Sequence, residues 1–256
     1  MKNHRWVIKL GTGVLSRKNG TIDTRHIGEL VGQFATLMQN GHELVVVSSG
    51  AIAAGMTIMQ LDQRPKKTNE LQACATIGQI ELMSQYQHAL HRHKILGSQL
   101  LLTYGDLDSK TRSRNASLTL EYLLSQKRIL PIINENDAIA NEEIKVGDND
   151  RLSAYVASLV QADKLIILTS IDGLMTSLDG KGKVIKRLTK LDDQTRGLAS
   201  GPGSQRNVGG MVTKLLAAEI AAKAGITTII ANGRTPDILP KIAANKFVGT
   251  TIKLSA

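Results

Sequence analysis

The 256-residue sequence predicts an α/β protein, a three-layer αβα sandwich around a mostly parallel central sheet. Three observations predict it. Short runs rich in Val, Ile and Leu alternate with longer segments of helical periodicity along the whole chain. The runs at 6–10, 44–47, 129–133 and 164–168 are apolar almost without interruption, as in strands buried on both faces. Small or polar residues follow the carboxyl end of each run, where open parallel sheets bind their ligands.

Trp6-Val7-Ile8-Lys9-Leu10 reads as a buried strand closed by Gly11-Thr12-Gly13. Ile27, Leu30, Val31, Phe34, Leu37 and Met38 then recur at helical spacing, with Asp23 or Thr24 to cap the start and Gly41 to end it. Leu44-Val45-Val46-Val47 is too uniform for a half-exposed edge and runs into Ser48-Ser49-Gly50, a small-residue turn before a helix start. Residues 62–69, with Pro65, read as a surface loop, and a long helix is expected from Thr68 to about residue 93. Another strand covers 96–102. The polar stretch 104–113 reads as a mobile loop, 114–127 as a helix and 129–133 as a strand. Residues 134–148 form a long polar segment, 150–160 a helix and 164–168 a strand. Residues 176–210 read as basic and loop-rich. A helix over 211–224 ends at Gly225, and a strand at 227–231, a short helix at 237–244 and a strand at 251–254 follow. No internal repeat interrupts the pattern. The expected organisation is one domain, 1–256, with two lobes divided near residue 160.

Composition excludes several classes. No run approaches the length of a membrane span, and no apolar leader with a cleavage site follows Met1, so a cytoplasmic protein with no membrane partner is expected. The single cysteine, Cys74, excludes a disulfide scaffold or a cysteine-based metal site and reads as a buried small hydrophobe. Net charge is +10, unevenly spread: 17 basic and 15 acidic residues precede position 151, and 15 basic and 7 acidic follow. A basic second half suits a polyanion such as ATP, or a nucleic acid. The few aromatics, Trp6, Phe34, Phe247 and four tyrosines, do not interleave with the basic residues, so no nucleic-acid partner is expected.

The strand ends concentrate chemistry. Lys9 interrupts an apolar strand, where a lysine either snorkels at an edge or meets a ligand. Glycines after it let backbone N–H groups approach an anion, and Gly209-Gly210 before a helix repeats the device, with Lys214 one turn in. Two such sites suggest a polyphosphate bridged by two lysines. No G-x-x-x-x-G-K-[ST] motif is present, and Ser16 stands where G-x-G-x-x-G needs its third glycine. His88, His91 and His93 read as solvated helix residues rather than a metal cluster, and no protein metal site is expected. Asn134, Glu135, Asn136, Asp137, Asp148, Asn149 and Asp150 crowd amides and carboxylates around one strand end, suited to orienting a polar substrate. Asp150 could hold two lysines in register.

Val7-Ile8-Lys9-Leu10-Gly11-Thr12, Ser48-Ser49-Gly50-Ala51-Ile52-Ala53-Ala54-Gly55, Ile133-Asn134-Glu135-Asn136-Asp137, Ile144-Lys145-Val146-Gly147-Asp148-Asn149-Asp150, Leu152-Ser153-Ala154 and Gly209-Gly210-Met211-Val212-Thr213-Lys214 follow one another in the order of the amino-acid kinase family, which the chain resembles throughout. The two segments 133–137 and 144–150 resemble its glutamate-phosphorylating branch. The resemblance implies the αβα fold and transfer of the γ-phosphoryl group of ATP, with Mg²⁺, to the side-chain carboxylate of L-glutamate, the first step of proline biosynthesis. The alternative is another acceptor, such as acetylglutamate, aspartate, carbamate or UMP. It implies an acceptor-binding lobe over about 1–160 and a nucleotide-binding lobe over about 161–256. Lys9 and Lys214 would neutralise the transferring group and Asp150 would orient them. Ser49, Gly50, Asn134, Asp137, Lys145, Asp148 and Asn149 would form the acceptor site. Lys9, Gly11, Thr169, Ser170, Val208, Gly209, Gly210, Met211, Val212, Thr213 and Lys214 would bind the nucleotide; Ser170 stands where the family often has aspartate. The resemblance further implies a dimer or tetramer joined near residues 60–125, feedback inhibition by proline and channelling to the next pathway enzyme. It implies a form without the RNA-binding-like C-terminal domain of many relatives. A glutamate side chain, with its pKa near about 4.3, is already ionised at neutral pH, so the reaction needs alignment and charge neutralisation rather than a general base.

Overall fold

A computed structural model of the protein describes residues 4–17, 19–140, 149–177, 182–199 and 210–254. In chain order the elements are β1 (Arg5–Leu10), α1 (Thr12–Leu15), α2 (Thr24–Gln39), β2 (Glu43–Ser48), α3 (Ala51–Ile58), α4 (Thr68–His91), β3 (Leu96–Leu102), α5 (Tyr104–Asp108), α6 (Lys110–Ser125) and β4 (Ile129–Glu135). There follow α7 (Asn149–Leu159), β5 (Lys164–Thr169), β6 (Arg187–Leu188), α8 (Asp193–Ala199), α9 (Met211–Lys223), β7 (Thr227–Asn232), α10 (Ile238–Ala243) and β8 (Thr250–Ile252). The strands form one eight-stranded sheet in the order β3-β4-β2-β1-β5-β7-β8-β6, with β7 and β8 antiparallel and every other pairing parallel.

Alternation along the strands sends side chains to two separate cores. Trp6, Ile8, Leu10, Leu44 and Val46 pack on one face against residues of α2, α4 and α10; Val7, Val45, Val47, Leu165 and Ile167 pack on the other against α6, α7 and α9. That is the expected αβα sandwich. Each large apolar side chain removed from water stabilises the fold by about 1.5–3 kcal/mol, so β1 can hold one residue, Lys9, whose burial is costly.

Several expectations need correction. Residues 104–113 are not a loop. Thr103 and Asp106 form a reciprocal capping box that starts α5, and the Ser109 side chain accepts from the Arg112 N–H to start α6. The segment 176–210 contains β6 and α8. β4 runs on to Glu135, so Asn134 and Glu135 belong to a strand. β3 is a partly exposed edge rather than a buried strand, with Leu96 65% exposed. β8 runs antiparallel to β7, entering opposite Ile230 at Thr250 and running back toward the start of β7. Gly249 makes that entry possible: its φ is +73° and a Cβ there would lie 2.0 Å from the Ile230 carbonyl oxygen.

Helices α3 and α4 cross in direct backbone contact. A Cβ on Gly55 would lie 1.8 Å from the Cys74 carbonyl oxygen, and one on Gly78 1.8 Å from that of Ala51. Cys74 is a free thiol buried at this crossing. His88, His91 and His93 are all exposed. No described helix is long and apolar enough to cross a membrane.

Candidate active site

β1 lies between β2 and β5, and the carboxyl ends of these strands open into the loops that carry the expected chemistry. Lys9, one residue before the end of β1, is only 5% exposed. Its Nζ lies 2.7 Å from Oδ1 of Asp150 in the first turn of α7. The other oxygen, Oδ2, is 3.0 Å from Nζ of Lys214 in the first turn of α9 and accepts from the Thr213 hydroxyl at 2.6 Å. Burial alone would raise the Asp150 carboxyl; the two ammonium groups, with the Thr213 hydroxyl, outweigh it and hold the group at about 2. Asp150 is therefore an anion at any working pH, and the three side chains together carry one net positive charge.

The helix ends sharpen this arrangement. An anion in the first turn of α7 is favoured by the helix dipole, whereas Lys214 sits at the positive end of α9, where a cation is disfavoured by about 0.3–1 kcal/mol. Asp150 offsets that cost. Gly210 caps α9 and, having no side chain, offers none to the leading N–H groups of the helix. On the β1 side, Gly11 anchors the turn through its N–H to the Leu168 carbonyl at 3.0 Å. A side chain there would reach within 3.7 Å of the Lys9 ammonium. Gly13 faces Ser170, which is exposed, and Thr169 ends β5 with its carbonyl accepting from the Gly233 N–H at 2.9 Å. Met211 is half-buried and Val212 exposed.

Beside the lysines, the ends of β2 and β4 meet the start of α7 in a corner of amides. Asn149 Nδ2 lies 2.9 Å from the Ser48 carbonyl, 3.1 Å from Ser49 Oγ and 2.8 Å from Asn134 Oδ1. Gly50, at φ +104°, turns the chain from β2 into α3. Asp137 is 6% exposed, and burial pushes its carboxyl up to about 6 despite attraction from Arg64. Its Oδ1, like Asn149 Oδ1, has no hydrogen-bond partner among the described residues.

The structure thus brings Lys9, Gly11, Asp150, Gly210, Thr213 and Lys214 together on one side, and Ser49, Gly50, Asn134, Asp137 and Asn149 on the other. The Thr213 hydroxyl faces Asp150 and the Gly210 carbonyl. Lys145, Asp148, Val208 and Gly209 lie outside the described residues. Sequence reasoning missed Gln79, which accepts from Asn134 Nδ2 at 2.8 Å, and Tyr86, whose buried hydroxyl lies 2.9 Å from Ser48 Oγ. It also missed Arg234, which reaches Asp23 and the carbonyls of Val14 and Ser16, tying the exit of β7 to the glycine turn after β1. Only the helical spacing of Gln79 and Tyr86 along α4 hinted at a shared face. A protein-held Mg²⁺ does not fit these residues: among those described no three His, Cys, Asp or Glu converge, and Asp150 has both oxygens engaged by ammonium groups.

Comparison with known proteins identifies the family. A family model described as Amino acid kinase family matches residues 4–232. The chain is 43% identical over 250 residues to the glutamate 5-kinase of Caldanaerobacter subterraneus subsp. tengcongensis, covering 96% of this chain and 67% of that one. It is 43% identical over 251 residues to the glutamate 5-kinase of Variovorax paradoxus, covering 97% and 66%. The chain spans about two thirds of the length of these curated relatives. Among solved structures, an isopentenyl phosphate kinase matches with a TM-score of 0.68 at 16% identity, covering 98% of this chain and 100% of that one. A UMP kinase from Bacillus anthracis matches at 0.64 and 16%, covering 97% and 95%. At such identities these structures support the fold alone.

Proposed function

The chain belongs to the amino acid kinase family, and from that premise we propose that it is a glutamate 5-kinase acting in proline biosynthesis. It transfers the γ-phosphoryl group of ATP to the side-chain carboxylate of L-glutamate, giving L-glutamyl 5-phosphate and ADP. A carboxylate oxygen forms the new bond to phosphorus, and the bond to the β-phosphate oxygen breaks. The attacking oxygen is already anionic, so no proton has to move.

One observation carries the reading: a single buried carboxylate, Asp150, holds two ammonium groups from distant parts of the chain on its two oxygens. Two anions must approach and charge must shift toward the leaving ADP, and prepositioned cations in a buried site stabilise that transition state. Lys9 and Lys214 fill this role. Asp150 aligns them and keeps their charge from excess. Gly11, together with Thr169, Ser170 and residues 208–214 of the lobe after about residue 160, holds the nucleotide. Mg²⁺ would come with the nucleotide rather than from a protein cage. Ser49, Gly50, Asn134, Asp137, Lys145, Asp148 and Asn149 hold glutamate, with Asp137 and the Asn149 oxygen accepting from its ammonium group. On the same reading the protein is cytoplasmic, self-associates, is inhibited by proline and passes its labile acyl phosphate to the next enzyme.

The test is ADP release with glutamate, acetylglutamate, aspartate, carbamate and UMP as acceptors. Turnover with glutamate well above the others is expected; preference for another acceptor would overturn the assignment.

A further inference from the structure

Four carboxamides run head to tail from the acceptor corner to the sheet edge. Asn149 Nδ2 donates to Asn134 Oδ1 over 2.8 Å, Asn134 Nδ2 to Gln79 Oε1 over 2.8 Å, and Gln79 Nε2 to Gln99 Oε1 over 3.0 Å. Asn134 Oδ1 also accepts from the Glu135 backbone N–H at 2.9 Å, which settles which end of that amide is the oxygen. Reversing any inner member would set two N–H groups, or two oxygens, face to face. The chain of amides therefore has one sense. In that sense Asn149 commits its NH₂ group to Asn134, Ser48 and Ser49, and its Oδ1 remains a buried acceptor with no partner among the described residues. Asp137 Oδ1 is a second such acceptor. Buried oxygens without donors are costly, and each suits an N–H donor brought by a ligand.

Gln79, Gln99 and Asp137 line one cavity of about 250 Å³. The glutamine has room beside it, so hydrogen bonding rather than packing sets its orientation. We propose that Gln79 is a specificity-determining positioning residue: by accepting from Asn134 Nδ2 it joins the Glu135 N–H and the Ser48 carbonyl in holding the amide sense that presents the Asn149 oxygen to the α-ammonium of the acceptor. This rests on the glutamate reading above. Gln79 acts through Asn134 and Asn149.

Two variants test it. Gln79→Leu removes the acceptor at similar size. Gln79→Glu keeps an oxygen toward Asn134, and Gln99, at the exposed edge, can turn its NH₂ group to meet the new carboxylate. In Gln79→Leu the KM for glutamate should rise about tenfold or more, as expected for loss of one oriented polar contact, while kcat and the KM for ATP stay within about threefold. The preference for glutamate over glutarate, which lacks the ammonium group, should fall by a similar factor. Gln79→Glu should restore both. Unfolding midpoints on the same samples identify a variant that is merely misfolded, and Gln79→Glu then carries the test through its glutamate-to-glutarate ratio. Unchanged glutamate KM and preference in folded Gln79→Leu, or a parallel fall in kcat and both affinities that Gln79→Glu does not rescue, overturns the inference alone. Absence of wild-type ADP release with glutamate overturns the acceptor assignment and this inference with it.

Discussion

The two sides of the site each bury an aspartate, and the two aspartates behave in opposite ways. Asp150 is 1% exposed and held at about 2; Asp137 is 6% exposed and raised to about 6. The residue type and the depth are nearly the same. What differs is company. Asp150 has two ammonium groups within 3.0 Å, whereas among the described residues Asp137 has only the attraction of exposed Arg64 against its burial. Burial displaces a carboxyl upward unless a counter-charge comes with it. The lysine side therefore satisfies its carboxylate internally, and the amide side is suited to a cation brought by its ligand.

The strongest way to break this contrast is Asp150→Asn. It leaves two buried ammonium groups without their anion, and kcat should fall by about three orders of magnitude, with a stability loss of about 3–5 kcal/mol. ADP release and urea unfolding measure the two, and near-normal turnover would end the case for Asp150 as the organiser. Lys9→Ala and Lys214→Ala come next. Each should lower kcat by about two to four orders of magnitude while the protein still folds; an unchanged kcat in either would remove that lysine from the mechanism. Asp137→Ala should act differently, raising the KM for glutamate by about tenfold to a hundredfold and touching kcat less. Normal glutamate saturation in that variant would move the acceptor site elsewhere.

Acidity separates the two aspartates more finely. The depressed Asp150 contributes stability that is fully present above about pH 4 and is lost as pH falls toward 2, on the order of 2 kcal/mol. The raised Asp137 works with the reverse sign: the folded state retains a proton that the unfolded chain has lost, so stability declines by up to about 3 kcal/mol as pH rises from about 4 to 6. Urea midpoints from pH 2 to 7 should rise and then decline, and Asp137→Asn should remove the decline. In that same window kcat/KM for glutamate should climb as Asp137 ionises. The smallest effect belongs to Tyr86→Phe, which removes the hydroxyl beside Ser48 at the cost of about 1 kcal/mol and little change in turnover. A large loss of turnover there would mean that the floor of the amide corner matters more than its charges.

Much of this was legible before any coordinates. The strands were readable because apolar runs buried on both faces leave no other reading, and α2 because Asp23 accepts from the His26 N–H where the cap was expected. The body of α6 was read at 114–127, but α5 and the first turn of α6 were missed because polar sequence masks a helix that buries little: α6 buries only Ala116, Leu120 and Leu124. Their caps, Thr103 with Asp106 and then Ser109, were the overlooked signal. The meeting of Lys9, Asp150 and Lys214 was expected from motif order, since each stands at the start or end of a well-marked element. Gln79, Tyr86 and Arg234 were not, because each reaches the site from an element distant in sequence, and only the fold decides which side chain arrives. The glycine pair at 55 and 78 was equally silent, since its meaning lies in the helix that each one touches.

The lysine–aspartate–lysine bridge also sets a clock on biosynthesis. A nascent chain that has left the ribosome through α7 already has Lys9 and Asp150, but its second cation arrives only with α9. Until then Asp150 has only one of its two ammonium partners. The bridge is therefore complete only once translation has passed α9.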